Sequence, residues 1–464
     1  MRELGSRPTV GAGRYPAVAR GPGRPAPGGG AAAGTVRHAR SETRTRVTSN
    51  PLRARRPEWL TTPILTVAIL SIGSGIAQFS VTALLGDVAA EFGQPGAGDD
   101  LAAQIGVPTT TIGVAFAIVR LSSLGSLPAA ALADRFGRRR LLLTLSAIGL
   151  ALTSIAAASP GFWFYVALVA LARPMVSAVN AVAGVVAAEE TRATTRSWAI
   201  ALVTAAYGVG AGIVSLARTA LPGEPSFRLV SGLAIVPLLL LPLLARYVRE
   251  PPIASRAEHA SAGLPGAVPA GLRGRVLLLA VLAGSIGLAT GPGFSYLFVY
   301  GESVLGASPG FSSVLVIAAG PAGLLGILLG RFGSDRLGRR VTAATAMVLT
   351  GAGVAYGYAG DPTDLAIGYL VAIAASSGFA PPAGALAAEL FPTSVRATVA
   401  GWVTTAGVLA AVLGLLSFGV LADATGSFAN ASRTIGIAVA VLALGFTFLP
   451  ETKGRELDEH TDDA

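Results

Sequence analysis

Ala130-Ala131-Leu132-Ala133-Asp134-Arg135-Phe136-Gly137-Arg138-Arg139-Arg140 is a strongly basic stretch caught between two long apolar runs. That position requires a very short connection between two membrane spans. Asp134 can cap or pair locally, Gly137 permits a tight turn, and Arg135, Arg138, Arg139 and Arg140 hold the turn on the cytoplasmic side. The pattern returns as Gly333-Ser334-Asp335-Arg336-Leu337-Gly338-Arg339-Arg340. Asp134 and Asp335 are 201 positions apart, and so are Glu250 and Glu451. The pair Glu189 and Arg196 is echoed by Glu389 and Arg396 at an offset of 200. Three charged landmarks at one period imply two six-span bundles in parallel repeat.

Composition agrees with a chain that lies mostly in lipid. Of its 464 residues, 52% are hydrophobic and 13% charged, where a soluble domain carries about a quarter charged residues. The net charge of +10 comes almost wholly from arginine, Lys453 being the one lysine. The arginines fall in a tail and in short loops between apolar runs. That distribution sets membrane orientation and gives no nucleic-acid surface. With no cysteine, disulfides, thiolate metal sites and cysteine nucleophiles are excluded. His38, His259 and His460 lie in tails and the central loop, so no histidine is available for chemistry inside the membrane.

A span needs about 20 apolar residues, and twelve such runs are present, at about 62–86, 108–131, 141–159, 162–187, 197–218, 229–247, 276–300, 311–331, 341–359, 365–387, 398–421 and 432–449. Loops after the even-numbered spans carry Arg138 to Arg140, Arg192, Arg196, Arg246, Arg249, Arg336 to Arg340 and Arg396. The opposite loops carry Asp87, Glu91, Asp99, Asp100, Glu224, Asp361, Asp364 and Asp423. Both termini are therefore expected in the cytoplasm, in a multi-pass protein of the cytoplasmic membrane. The expected organisation is a disordered basic tail over 1–57, a six-helix bundle over 58–250, a cytoplasmic linker over 251–274, a second bundle over 275–454 and a tail over 455–464.

The Asp134 loop and its echo resemble the loop between the second and third spans of the major facilitator superfamily. Glu389-Leu390-Phe391-Pro392-Thr393-Ser394-Val395-Arg396 and Pro450-Glu451-Thr452-Lys453-Gly454-Arg455 resemble motifs of its sugar-porter-like branch. The likeness spans about residues 60 to 457 and implies an all-α membrane protein of twelve helices in two pseudo-repeats. It also departs from the pattern. Ala130 and Arg331 stand four residues before each aspartate, where the pattern has glycine, and Arg246 to Pro251 is only a fragment of the motif after the sixth span. In that family, Asp134, Gly137, Arg138, Glu189, Arg196, Glu250, Asp335, Gly338, Arg339, Glu389, Arg396 and Glu451 would form a charge cluster gating the cytoplasmic side. The plainer alternative is that the arginines only fix topology. Half-solvated pairs of this kind are individually weak and can break and re-form, yet a cluster can bias a two-state equilibrium.

Arg120 and Arg173 are the two full charges deep in spans, fourteen and sixteen residues from Asp134 and Glu189, or about 21 and 24 Å along a helix. A mid-span arginine costs at least about 2.5 kcal/mol to insert, so it faces a cavity or a partner. No carboxylate lies at mid-span in the sequence. An anionic cargo would supply the missing charge; an arginine tied to helix carbonyls is the alternative. Gln78, Asn180, Tyr207, Tyr296 and Trp402 are softer candidates for the cargo site, each also explicable by packing. Gly291-Pro292-Gly293, followed by Phe294, Tyr296, Phe298 and Tyr300, loosens the outer seventh span and resembles the aromatic gate of sugar porters, though an interfacial aromatic belt reads the same. Pro381-Pro382 offers a hinge in the tenth span, and Gly208, Gly210 and Gly212 favour close packing of the fifth.

The reading is a secondary or facilitative transporter that moves a small metabolite, an organic anion by preference, by alternating access. It is not an enzyme, and no cofactor or metal is expected. Gly454 after Lys453 rules out a phosphate-binding loop of the Gly-Lys-Ser/Thr kind. Proton coupling usually needs a buried titratable group, and only loop or span-end acids such as Asp87, Glu302 and Asp134 are available, which leaves uniport, or proton symport in which the substrate's own carboxylate carries the proton. An efflux pump for hydrophobic drugs, a sugar porter and a non-transporting membrane sensor are the alternatives.

Overall fold

A computed structural model describes residues 60–96, 100–192, 195–220, 227–248, 269–392 and 395–454, without the side chains of Asp134 and Ala397. Both expected tails, most of the linker, and Glu250 lie outside the described residues. The described part belongs to one compact unit and is all-α, with no strand among the described residues.

Among the described residues, eleven helices are long and apolar enough to span a membrane: α1 Thr62–Phe92, α2 Thr109–Ala133, α3 Arg138–Ala156, α4 Phe162–Glu189, α5 Arg196–Ala220, α6 Phe227–Leu244, α7 Ala270–Ser295, α8 Pro309–Leu337, α10 Pro362–Glu389, α11 Thr398–Thr425 and α12 Phe428–Phe448. The ninth expected span is α9, Arg339–Gly357. It has the length but is diluted by an Arg pair, three Thr and three Gly, and it is packed between α10 and α12. Large apolar side chains such as Leu239, Leu277, Leu329 and Phe448 point out of the bundle. An apolar exterior that would be a liability in water is the proper surface in lipid, where helices satisfy their own backbone groups.

The two basic connections are as short as the sequence demands. Helix Ser126–Phe136 passes into α3 through Gly137 alone, at φ +86, and α8 passes into α9 through Gly338 alone, at φ +101. Side chains rarely adopt these angles. At Gly338 a Cβ would also stand 2.6 Å from a Glu451 carboxylate oxygen. The end of the bundle carrying these turns is called here the basic face, and the other end the far face.

Within the first half, α1 packs on α5 and α4; in the second, α10 lies between α8 and α9. Gly210 is the close-approach point expected in α5, since a Cβ there would stand 2.3 Å from the Ile72 carbonyl oxygen, while Gly208 and Gly212 face open space. Pro381 and Pro382 sit inside the continuous helix α10. The halves meet chiefly through α2 on α11 and α5 on α8. The α2–α11 crossing is tight because both sides are glycine: a Cβ on Gly113 would stand 2.6 Å from the Leu415 carbonyl oxygen, and one on Gly419 2.9 Å from that of Thr109.

Candidate functional site: a two-arginine cavity between the halves

Two irregular helices place the arginines. The helix Thr109–Ser122 runs through a 3-10 turn, Ser123–Gly125, into Ser126–Phe136. Pro128 lacks the N–H that would continue the ladder to Leu124. Gly125, in that turn, lies 3.1 Å (from an ideal Cβ) from the Pro174 Cβ of α4. Arg120 precedes the break and Arg173 precedes Pro174, so both side chains reach one cavity of about 490 Å³.

The first half's wall also includes Gln78, Phe79, Thr82, Phe116 and Tyr207. The second half contributes Thr290, Phe294, Ser295, Tyr369 and Ser376. Arg120 and Arg173 are the only full charges among the lining residues. Among the described residues, the buried Arg120 Nε has no hydrogen-bond partner. Arg173 donates one long bond, 3.4 Å, to the Gln78 carbonyl oxygen, and its Nε is likewise buried and unpartnered. Gln78 is held by its own half: its Nε2 donates to Ser74 Oγ at 2.9 Å, and Ser177 Oγ donates to its Oε1 at 3.2 Å. Across the cavity, Phe294 and Tyr369 meet edge to face at 5.8 Å.

Of the seven sequence candidates, the structure therefore gathers Gln78, Arg120, Arg173 and Tyr207 around the cavity. Asn180 does not line it, being seven residues beyond Arg173, about 10 Å nearer the basic face. Trp402 is 41% exposed and stands away from the lining. Tyr296 is buried outside it, donating from its hydroxyl to the Thr109 carbonyl at 3.1 Å and packing against Phe116, Phe418 and Phe428. The aromatic run beyond Gly293 is thus mostly structural, with Tyr300 against Tyr358 and Phe428. Only its first member, Phe294, reaches the cavity. The rings and hydroxyls that sequence reasoning missed are spaced like ordinary core residues.

At the basic face, the charges repeat as a structural motif. Arg138 ion-pairs with Glu189 in the first half, and Arg339 with Glu389 (3.3 Å) and Asp335 (3.2 Å) in the second. Arg196 and Arg396 donate from Nε to the carbonyls of Ala188 (2.9 Å) and Phe391 (3.0 Å). Glu451 accepts backbone N–H bonds from Arg339 (2.8 Å), Arg340 (3.2 Å), Thr452 (3.1 Å) and Lys453 (3.2 Å). Burial works to raise the Glu451 carboxyl's pKa, but these N–H bonds outweigh it and hold it below its ordinary value. Each of these links stays within one half.

Links across the halves gather at the far face. Arg218 of α5 donates to Asp87 of α1 at 2.6 Å and to Glu302, beyond α7, at 2.7 Å, with Phe298 5.1 Å below the guanidinium. Thr109 N and Thr110 N each donate to the Asp423 carboxylate of α11 at 2.8 Å, and Ser313 Oγ donates to the Ser215 carbonyl at 2.6 Å. Asp423 thus satisfies the free N–H groups at the start of α2 from the other half. Sequence reading passed over Arg218 because it lies at a span end, where an arginine normally reaches water.

The family model described as Major Facilitator Superfamily matches residues 67–334. The chain belongs to the Major Facilitator Superfamily. A second model, sugar (and other) transporter, matches residues 269–463. A curated relative, the probable 4-methylmuconolactone transporter of Cupriavidus pinatubonensis, is 29% identical over 357 residues, 72% of this chain and 80% of that protein. Among solved structures, a D-xylose-proton symporter aligns over 85% of this chain and 99% of its own at TM-score 0.63 and 20% identity. The nucleoside transporter NupG aligns over 83% and 98% at TM-score 0.65 and 14% identity. These likenesses carry the superfamily fold, and the chain is a multi-pass membrane transporter, not an enzyme. Its substrate is a small molecule.

Proposed function

We propose that the protein carries a small organic anion across the cytoplasmic membrane by alternating access. The observation that carries this reading is the pair of guanidiniums, Arg120 and Arg173, in an inter-half cavity whose lining holds no carboxylate. A buried cation without a partner is costly. A neutral sugar or a lipophilic cation would leave that cost in place, whereas an anion removes it. The 4-methylmuconolactone transporter supports a small organic metabolite as cargo.

The arginine-rich loops put the basic face, and with it both termini, in the cytoplasm. On that orientation, the cross-half bonds gathered at the far face support a state closed on the outside. The halves, 58–250 and 275–454, rock about the cavity, and the basic-face pairs brace each half during the movement. Gly137, Gly338 and the Asp134 turn fix the geometry of those braces. We take protons as the coupling ion, with Asp87 and Glu302 at Arg218 the acids placed where the halves meet.

The test is thermal stabilisation of the purified full-length protein by organic acids, sugars and lipophilic cations, followed by proteoliposome uptake of the best binder. Stabilisation by acids, lost in Arg173→Gln, is expected. Stabilisation by sugars or cations that is unchanged in Arg173→Gln would overturn the reading.

A further inference from the structure

We infer that the cargo is an organic dianion, with one anionic group taken by Arg120 and the other by Arg173. This rests on the organic-anion reading and sharpens it. The argument is a charge count in a confined space. Two full positive charges line the cavity and no negative one does. Both guanidiniums line the same cavity of about 490 Å³. A monoanion satisfies one of them and leaves the other bare beside it. A dianion neutralises both and ends their mutual repulsion.

Donor geometry points the same way. Each arginine keeps a buried Nε with no hydrogen-bond partner among the described residues. The arginines come from different helices, α2 and α4, so each can present its own fork to a separate acceptor. Gln78, a neutral polar group of the lining, has its amide bonded to Ser74 and Ser177 and its backbone carbonyl accepting from Arg173. It is a positioning residue for Arg173, leaving charge recognition to the arginines.

The second half receives the rest of the molecule. Its wall is uncharged, with Phe294 and Tyr369 offering rings and Thr290, Ser295 and Ser376 offering hydroxyls. A cavity of about 490 Å³ fits a compact body of ring size. Both anionic groups therefore dock on the first half while the body touches the second. Such a ligand can be held by one half as the other swings away.

The experiment compares acids that share a skeleton and differ by one charge: benzoate with isophthalate, and hexanoate with adipate. A phosphate arm compares glycerol 3-phosphate with glycerol. Binding is read by thermal stabilisation of the full-length protein in detergent, on wild type, Arg120→Gln and Arg173→Gln. We expect wild type to prefer the dianion of at least one pair by about tenfold or more. Each single variant should bring that dianion down to the affinity of its monoanion. Preference for the dianion within the carboxylate pairs supports the inference, whereas preference confined to the phosphate arm, where both charges sit on one group, overturns the two-group docking. If the variants do not fold, wild type alone decides. Its affinity for adipate should fall as pH removes the second charge, and an affinity that follows only the first carboxyl overturns the proposal. Equal binding of monoanion and dianion overturns the dianion but keeps the organic-anion reading. No binding of any acid by folded wild type removes both.

Discussion

Arg218 and Glu302, 84 residues apart, meet at 2.7 Å across the two halves at the far face, with the Arg218 side chain 1% exposed. The same guanidinium binds Asp87 at 2.6 Å, so one cation from the first half bridges a carboxylate from each. An ion triad in this position holds the far face shut only while all three charges persist. Its net worth is modest, because desolvation offsets the attraction, but removing one member leaves uncompensated buried charge.

Arg218→Gln is therefore expected to lower stability by about 3–5 kcal/mol when the far face is closed, and to shift the equilibrium toward its opening. The absence of cysteine from the chain makes this directly readable. A single cysteine at Ser313, buried against Ser215, should react slowly with an aqueous maleimide in the parent. It should react several-fold faster with Arg218→Gln. Unchanged labelling would show that the triad does not close this face.

The Glu451 carboxyl sets a pH limit on the basic face. Its pKa is held below its ordinary value of about 4.5 by backbone N–H groups at the start of α9 and after Glu451 itself. The folded state thus resists protonation more than the unfolded chain does. The stabilisation is complete above the unfolded value and is lost as pH falls through the folded one. Melting temperature measured from pH 6 down to pH 3 should decline more steeply in wild type than in Glu451→Gln. The variant, less stable at pH 6, should approach wild type at the acid end. Parallel curves would mean that Glu451 does not carry this limb.

Much of this architecture was legible from the Asp134 and Asp335 turns, since a single glycine between two apolar runs allows little else. The period of 200 to 201 residues reappears in space as Arg138 with Glu189 and Arg339 with Glu389. Arg120 and Arg173 stood out because mid-span charge is expensive whatever surrounds it. Arg218 did not, because burial at a span end depends on Glu302 and Phe298 of the other half, which no local spacing reveals. Tyr296 and Tyr207 looked alike in sequence. Only tertiary packing sends the first into an aromatic cluster and the second to the cavity. Phe294 and Tyr369 were indistinguishable from core residues for the same reason.

Asp423 offers a separate handle on the same closure. Its carboxylate caps the first two N–H groups of α2 from α11 of the other half, so the cap exists only when the far face is shut. Loss of a helix cap costs about 0.5–2 kcal/mol, and here the whole cost falls on the closed state. Asp423→Ala should therefore speed labelling of the Ser313 cysteine by roughly 2- to 30-fold, the factor that such an energy sets. Asp423→Asn keeps one acceptor without the charge and should fall between. Because Arg218 and Asp423 act through different helices, combining Arg218→Gln with Asp423→Ala should multiply their effects on labelling. A double variant no faster than Arg218→Gln alone would mean that the triad opens first and carries Asp423 with it.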